Sequence, residues 1–273
     1  MSRQEKKGKA FRALHERGGA FLIPNPWDAG TARLLAALNF EALATTSAGY
    51  ALSIGKLDGA VGREAMMAHV ASIASATELP VSADLENGFG DAPEYAAETI
   101  RMAASAGAVG GSIEDATGRA EDPIYELGIA VERIRAASEA VKGLPFAFTL
   151  TARAENYLVG RPDLSDTIRR LQAYQEAGAD VLYAPGLICK EDIADVVSSV
   201  DRPVNVLAGL KSFPLAYAEL SAIGVRRISV GGSLARAALG AFVQAAREMQ
   251  EQGTFAFADE AISYRELSAM LKP

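Results

Sequence analysis

The chain of 273 residues has one cysteine, two histidines and one tryptophan, and these shortages exclude whole classes of chemistry. A single thiol, Cys189, supports neither a disulfide framework nor a Cys-rich zinc site. With no histidine near it, Cys189 is expected to pack rather than to act as a nucleophile. His15 and His69 both fall in segments of helical pattern, away from strand ends. That leaves no Ser-His-Asp triad and no His-based zinc site, and assigns both rings to packing or to the surface. Lys190 and Lys211 lie just past strands and read as solvated charges, so a Schiff-base lysine on a strand is also absent. Basic charge is scarce: 27 Lys and Arg face 34 Asp and Glu, a net charge of −7. The only cationic cluster is Lys6, Lys7 and Lys9, so nucleic acid, which needs a clustered basic face, is not an expected partner. No apolar run reaches the ~18 residues of a membrane span. The polar amino end carries no signal-peptide core, so a cytoplasmic location is expected.

What is present is a long, regular alternation. Hydrophobic residues make up 49% of the chain, enough for a large core. A first helix is expected from Ser2 to about Arg17. Strands are then expected at Ala20–Ile23, Ala42–Thr46, Val81–Asp84, Val109–Glu114, Phe146–Thr151, Asp180–Ala184, Val204–Leu207 and Arg227–Val230. Between and after them, helices are expected at Ala29–Leu38, Arg63–Thr77, Pro93–Ser105, Tyr125–Val141, Ser165–Glu176, Glu191–Ser199, Leu215–Ile223 and Leu234–Gln250. Gly107, Gly178 and Gly224 each stand between a helix and the next strand, where glycine supplies a left-handed cap. Eight strand-helix units in this length point to one α/β domain over residues 1–273, a (β/α)8 TIM-type barrel. An open dinucleotide-binding sheet would need G-x-G-x-x-G after its first strand, and here Pro24-Asn25-Pro26-Trp27 follows. A further helix, about Asp259 to Leu271, is surplus to the barrel and suited to docking on a neighbouring subunit.

In such barrels the active site lies at the carboxyl ends of the strands. The residues there are Asn25 and Trp27; Thr45, Thr46 and Ser47; Asp84 and Glu86; Glu114 and Asp115; Arg153 and Glu155; Pro185; Asn205; and Gly231 to Ser233. Asp84 and Glu86 have the same parity, so on an extended chain they face one side. Two carboxylates so placed repel unless a cation sits between them. A hard divalent ion such as Mg2+ fits that role, and a solvated acidic loop is the plain alternative. Arg153 can grip a carboxylate in bidentate fashion, or simply neutralise Glu114 or Glu155. Backbone N–H groups around Ser47, Ala48 and Gly49 can hold an oxyanion. A buried Asn205 needs hydrogen-bond partners, and a ligand is one source.

Six segments, in this order and on these strands, carry a resemblance. They are Asn25 to Arg33; Thr45 to Ala51, with Gly55 to Asp58 behind it; Ala83 to Gly90; Ser112 to Asp115; Thr151 to Glu155; and Val230 to Ala235. Together they resemble the isocitrate lyase / phosphoenolpyruvate mutase superfamily from about Phe21 to Gln250. The resemblance implies a barrel whose eighth helix is swapped between paired subunits of a homotetramer, a dimer of dimers. It implies Mg2+, with Mn2+ as an alternative, bound through Asp84, with Glu86, Glu114 and Asp58 acting through waters. It implies a small 2-oxo or 2-hydroxy acid on that ion, its oxygens held by Arg153, Thr46, Ser47, Ala48 and Asn205, with Trp27 at the same strand ends. Arg153 and Glu114 are the expected catalytic residues.

The expected activity is C–C bond cleavage through an enolate, by decarboxylation or by a retro-aldol or retro-Claisen step. P–C bond chemistry on a phosphonate, and non-catalytic binding of a 2-oxo acid, are the alternatives. The superfamily's lyases carry Lys-Lys/Arg-Cys-Gly-His in the loop after strand four, and its mutase and phosphonopyruvate hydrolase carry Lys and Asn there. Here Asp115 to Pro123 has none of these, and Arg119 is the one cation available to replace them.

Overall fold

The computed structural model describes residues 1–272. Its strands are β1 Phe21–Ile23, β2 Leu43–Ala44, β3 Val81–Asp84, β4 Gly110–Glu114, β5 Thr149–Arg153, β6 Val181–Tyr183, β7 Val204–Leu207 and β8 Arg227–Ser229. All pair in parallel, in the order β1-β8-β7-β6-β5-β4-β3-β2. Between β1 and β2 there is no ladder, but the Ala44 N–H donates to the Pro24 carbonyl at 3.1 Å and draws the two ends together. The result is a nearly closed (β/α)8 barrel, as the alternation requires.

The helices are α1 Arg3–Glu16, α2 Ala29–Ala37, α3 Ser47–Ser53, α4 Arg63–Ala76, α5 Pro93–Ser105, α6 Leu127–Lys142, α7 Leu164–Glu176, α8 Lys190–Ser198, α9 Tyr217–Ala222, α10 Ser233–Glu251 and α11 Tyr264–Met270. Gly107, Gly178 and Gly224 have φ of +98°, +105° and +92°, the left-handed conformation their positions demanded. No helix among the described residues is long and apolar enough to cross a membrane.

Two differences from the sequence expectation bear on the site. Helix α3 was expected as loop, because seven residues are too few to show a period. It forms because Thr46 caps it, its hydroxyl accepting the Gly49 N–H at 3.2 Å. Strand β5 begins at Thr149 rather than Phe146. Ala147 lies against α1 instead, where a side chain on Gly8 would run into the Ala147 carbonyl oxygen; Phe146 packs on the cluster of Phe11 and Leu14, and Phe148 joins the main core. The shift makes Arg153 the last residue of β5, in register with Glu114.

The amino-terminal end of the barrel is plugged by α1. Phe11 is fully buried and meets His15 and Phe21 edge-on, at centroid distances of 4.8 and 6.4 Å. Gly110 makes room for this ring, since a Cβ there would lie 2.7 Å from it. His69, also buried, stacks on Tyr50 at 3.9 Å. Both histidines are therefore core residues. Cys189 is a correction to the packing expected of it. It is exposed at the residue preceding α8, and its thiol contacts Glu191 Oε2 at 3.0 Å without capping the helix.

The last segment leaves the body of the barrel. Helix α10 buries only Ala235 and exposes Leu239, Phe242, Val243 and Met249. Helix α11 returns to α2, where Arg33 Nη2 donates to the Leu271 carbonyl at 2.6 Å.

Candidate active site

Asp84 ends β3 at the carboxyl rim of the barrel, and its position is fixed by its neighbours. Its N–H donates to Thr45 Oγ1 at 2.8 Å. Its Oδ2 accepts both the N–H and the hydroxyl of Ser47, each at 3.0 Å. Its Oδ1 accepts Arg153 Nη1 at 2.9 Å. The same Nη1 lies 3.1 Å from Glu114 Oε2, and Arg153 Nε donates to Glu155 Oε1 at 2.8 Å. The guanidinium also lies over the Tyr183 ring, 5.2 Å from its centroid. Burial alone would lower the Arg153 pKa, but Glu114, Glu155 and Asp84 outweigh it and raise it far above its ordinary value.

The carboxylates are split between two cavities. One, of about 170 Å3, is lined by Asp84, Asp58, Arg153, Asn205, Ser47 and Ala48 among others. The other, of about 600 Å3, is lined by Glu86 and Glu114. Same-parity pointing of Asp84 and Glu86 is therefore overturned. The strand stops at Asp84, and Glu86 takes a left-handed φ of +48°, which rotates its side chain out of the strand's alternation. Glu86 is nonetheless electrostatically tied to the cluster. Burial, then the charges of Asp84 and Asp58, push its pKa up to about 8. Its Oε1 is buried with no hydrogen-bond partner. Asp58 stands exposed at the rim, and partial desolvation and Asp84 raise its carboxyl. Burial raises Glu114 well above its ordinary value, against the pull of Arg153.

This donor set fits one kind of ion. Among the described residues no three His, Cys, Asp or Glu side chains converge closely enough to ligate a metal together. A closed protein cage is therefore excluded. A hard ion that takes one or two carboxylates and keeps its waters remains compatible. The unpartnered Glu86 oxygen and the mutual repulsion of Asp84, Asp58 and Glu86 are what such a cation would relieve.

Other residues at the strand ends have different surroundings from those expected. Asn25 ties three strands together: it donates to the Thr45 carbonyl at 3.0 Å and accepts the Val230 and Gly231 N–H groups at 3.0 and 2.9 Å. Asn205 finds its partners inside the chain, donating to Ser229 Oγ at 3.0 Å and accepting Arg227 Nε at 2.9 Å. Trp27 is not among the residues lining the Asp84 cavity. It packs behind α3, where a Cβ on Gly49 would come within 3.2 Å of it. Of the first N–H groups of α3, Ser47 serves Asp84 and Gly49 serves Thr46, which leaves Ala48 as the one that no side chain engages.

Asp115 faces away from both cavities. It accepts the Glu155 N–H at 2.8 Å, Arg170 Nη1 at 3.1 Å and the Tyr174 hydroxyl, a buried network that anchors the β5 end carrying Arg153. Arg119 does not reach the site. It is paired with Asp91 at 2.9 Å on the exposed side of the 115–123 loop. The sequence reading missed Arg227, Tyr183, Ser82 and Ser112, all of which line the Asp84 cavity. The available signal was the small hydroxyl residues on β3 and β4, where barrel interiors are dominated by Val, Ile and Leu.

Comparison with known proteins agrees with this architecture. Residues 11–250 match the phosphoenolpyruvate phosphomutase family. The 2-methylisocitrate lyase of Escherichia coli K12 is 31% identical over 217 residues, covering 76% of this chain and 70% of the lyase. A structure from Burkholderia cenocepacia J2315, described as a lyase/mutase candidate, superposes with a TM-score of 0.97 at 62% identity, covering 99% of this chain and 97% of that one. An oxaloacetate acetylhydrolase solved with its product oxalate superposes with a TM-score of 0.86 at 25% identity, covering 97% and 94%. With this match, this barrel and this set of strand-end residues, the chain belongs to the phosphoenolpyruvate mutase / isocitrate lyase superfamily of lyases and mutases.

Proposed function

We propose that the Asp84 cavity is an Mg2+-dependent lyase site that breaks a C–C bond in a small 2-oxo or 2-hydroxy acid through an enolate. The observation that carries this reading is the acidic cluster itself. Asp84 sits at a strand end among Asp58, Glu86 and Glu114, with one Glu86 oxygen buried and unpartnered. Asp84 would hold the ion directly, with Asp58, Glu86 and Glu114 reaching it through waters. Mn2+ suits the same oxygen donors. When bound, the ion would polarise the 2-oxo group and stabilise the negative charge of the enolate.

The chain's own residues bind and orient. Arg153 presents its remaining donors to the ligand's carboxylate and is held rigid by Glu114 and Glu155. The Ala48 N–H and the Thr46 hydroxyl, whose proton is uncommitted, would face developing charge on oxygen, while Ser47 lines the same cavity and holds Asp84 in place. Asn205 borders the far side of the ligand, while Trp27 fixes α3 from behind. Glu114, held 3.1 Å from Arg153 Nη1, would act as a carboxylate beside it and is the second catalytic residue of the proposal. The 115–123 loop carries no Cys or His, and its arginine is committed to Asp91.

Calorimetry tests the assignment. Mg2+ titrated into wild type should bind, and Asp84→Ala should abolish binding; equal affinity in the two would sink the metal reading. A screen of 2-oxo and 2-hydroxy acids for thermal stabilisation with and without Mg2+ would then name the substrate's shape. Phosphate released from phosphonopyruvate would instead identify P–C chemistry.

The exposed apolar face of α10 belongs to the same proposal. Covered by a second copy of the chain, it would give the swapped pairs of a homotetramer.

A further inference from the structure

Arg227 opens β8, and its side chain crosses the barrel interior. Nε donates to Asn205 Oδ1 at 2.9 Å and Nη2 to Thr151 Oγ1 at 3.0 Å. Nη1 is buried with no partner, and the residue as a whole is 5% exposed. Both of its partners are neutral. The contrast with Arg153 is sharp, because that guanidinium is matched by three carboxylates while Arg227 has none.

The ionisable groups around Arg227 do not supply an anion. His15, on the plugged floor, is kept neutral, its pKa pushed down to about 3 by burial and by Arg227 itself. Burial raises the Tyr183 phenol to about 12, so it stays protonated. Burial lowers Arg227 only to about 10, so it carries its charge at neutral pH. A buried charge without a counterion is strongly unfavourable.

The wall around this charge is polar and small. Ser82, Ser112, Asn205, Ser229 and Arg227 line the cavity whose mouth holds Asp84. At about 170 Å3 it has room for a small acid. Its upper end carries Asp84 and Asp58, and its lower end carries an unmatched cation.

We propose that Arg227 forms a second anion subsite at the floor of this cavity and takes the distal carboxylate of a short dicarboxylate. The ligand's 2-oxo or 2-hydroxy end lies at Asp84, so the inference rests on the function proposed above. Arg227 thereby selects four-carbon diacids over monoacids of the same length. Its planar fork offers Nη1 to one carboxylate oxygen, while Asn205 and Thr151 hold the guanidinium in place.

Malate and 2-hydroxybutyrate differ only in whether the far end is a carboxylate or a methyl group, and calorimetry with Mg2+ present separates them. Wild type should bind malate at least about tenfold more tightly, the effect of one hydrogen bond to a charged group. Arg227→Gln should erase that preference, and Arg227→Lys, which keeps the charge, should retain part of it. Equal affinity of wild type for the two acids overturns the proposal without any variant, so a misfolded Gln variant does not protect it. A malate preference that survives in Arg227→Gln also overturns it. Oxalate, too short to reach the floor, reports on the mouth alone. If oxalate binds and malate is not preferred, only the Arg227 subsite fails. If oxalate does not bind at all, the reading of the mouth fails and the subsite falls with it.

Discussion

Asp115→Asn is the perturbation whose consequence the structure fixes most closely. Asp115 is 3% exposed and Arg170 6%, so their 3.1 Å ion pair is out of water. Burial raises the Asp115 pKa, and the Tyr174 hydroxyl, the Glu155 N–H and Arg170 hold it down. An asparagine keeps an acceptor for the Glu155 N–H but turns an amide donor toward Arg170 or Tyr174. Removing one partner of a buried pair costs about 3–5 kcal/mol. Arg170 retains Asp166 at 2.7 Å, so the lower end applies, about 3 kcal/mol. For a chain of this size that is a fall in Tm of about 6–12 °C.

The exposed Arg101–Glu98 pair is the control, and Glu98→Gln should cost less than about 0.5 kcal/mol. Urea unfolding followed by the fluorescence of Trp27 measures both. Arg170→Met combined with Asp115→Asn should cost less than the sum of the single changes by about 1 kcal/mol or more, because the stranded charge is gone. A loss below about 1 kcal/mol for Asp115→Asn, or strict additivity in the double variant, would refute the reasoning. The network matters beyond stability, since Asp115 holds the backbone of Glu155 and, through it, Arg153.

Three further outcomes are expected. Arg153→Lys should weaken oxalate or pyruvate binding by about 1.5–3 kcal/mol, the range for a hydrogen bond to a charged group; unchanged oxalate affinity by calorimetry would rule this out. His15 titrates near 6.5 when unfolded and near 3 when folded, so between those values the unfolded chain binds the extra proton. Its contribution to stability is therefore lost as pH falls through that window, by up to about 1.4 kcal/mol per unit, and His15→Gln should flatten the pH dependence of urea unfolding by that amount. On α10, Phe242→Asp should lower the mass measured by light scattering, since Phe242 is 69% exposed on the face proposed to meet a second copy; an unchanged mass would remove α10 from the interface.

The sequence by itself determined the barrel and which polar residues stand at its strand ends. Strand-helix alternation and the helix-end glycines are local properties, so eight units and their order were legible before any contact was known. The position of Asp84, Glu114 and Arg153 at strand ends followed from the same periodicity. Tertiary structure decided what those residues face. Just ahead of β5, Phe146 and Ala147 lie against α1, a contact between segments far apart in the chain. The left-handed turn at Glu86 broke the parity that would have aligned it with Asp84. Asn25, Asn205 and Asp115 all read as candidate site residues, yet each is engaged with groups from other strands or helices, because hydrogen-bond partners are chosen in space rather than along the chain. Arg227 was the least visible of all. A single arginine at a strand start carries no pattern, and only closure of the barrel encloses it without a counterion.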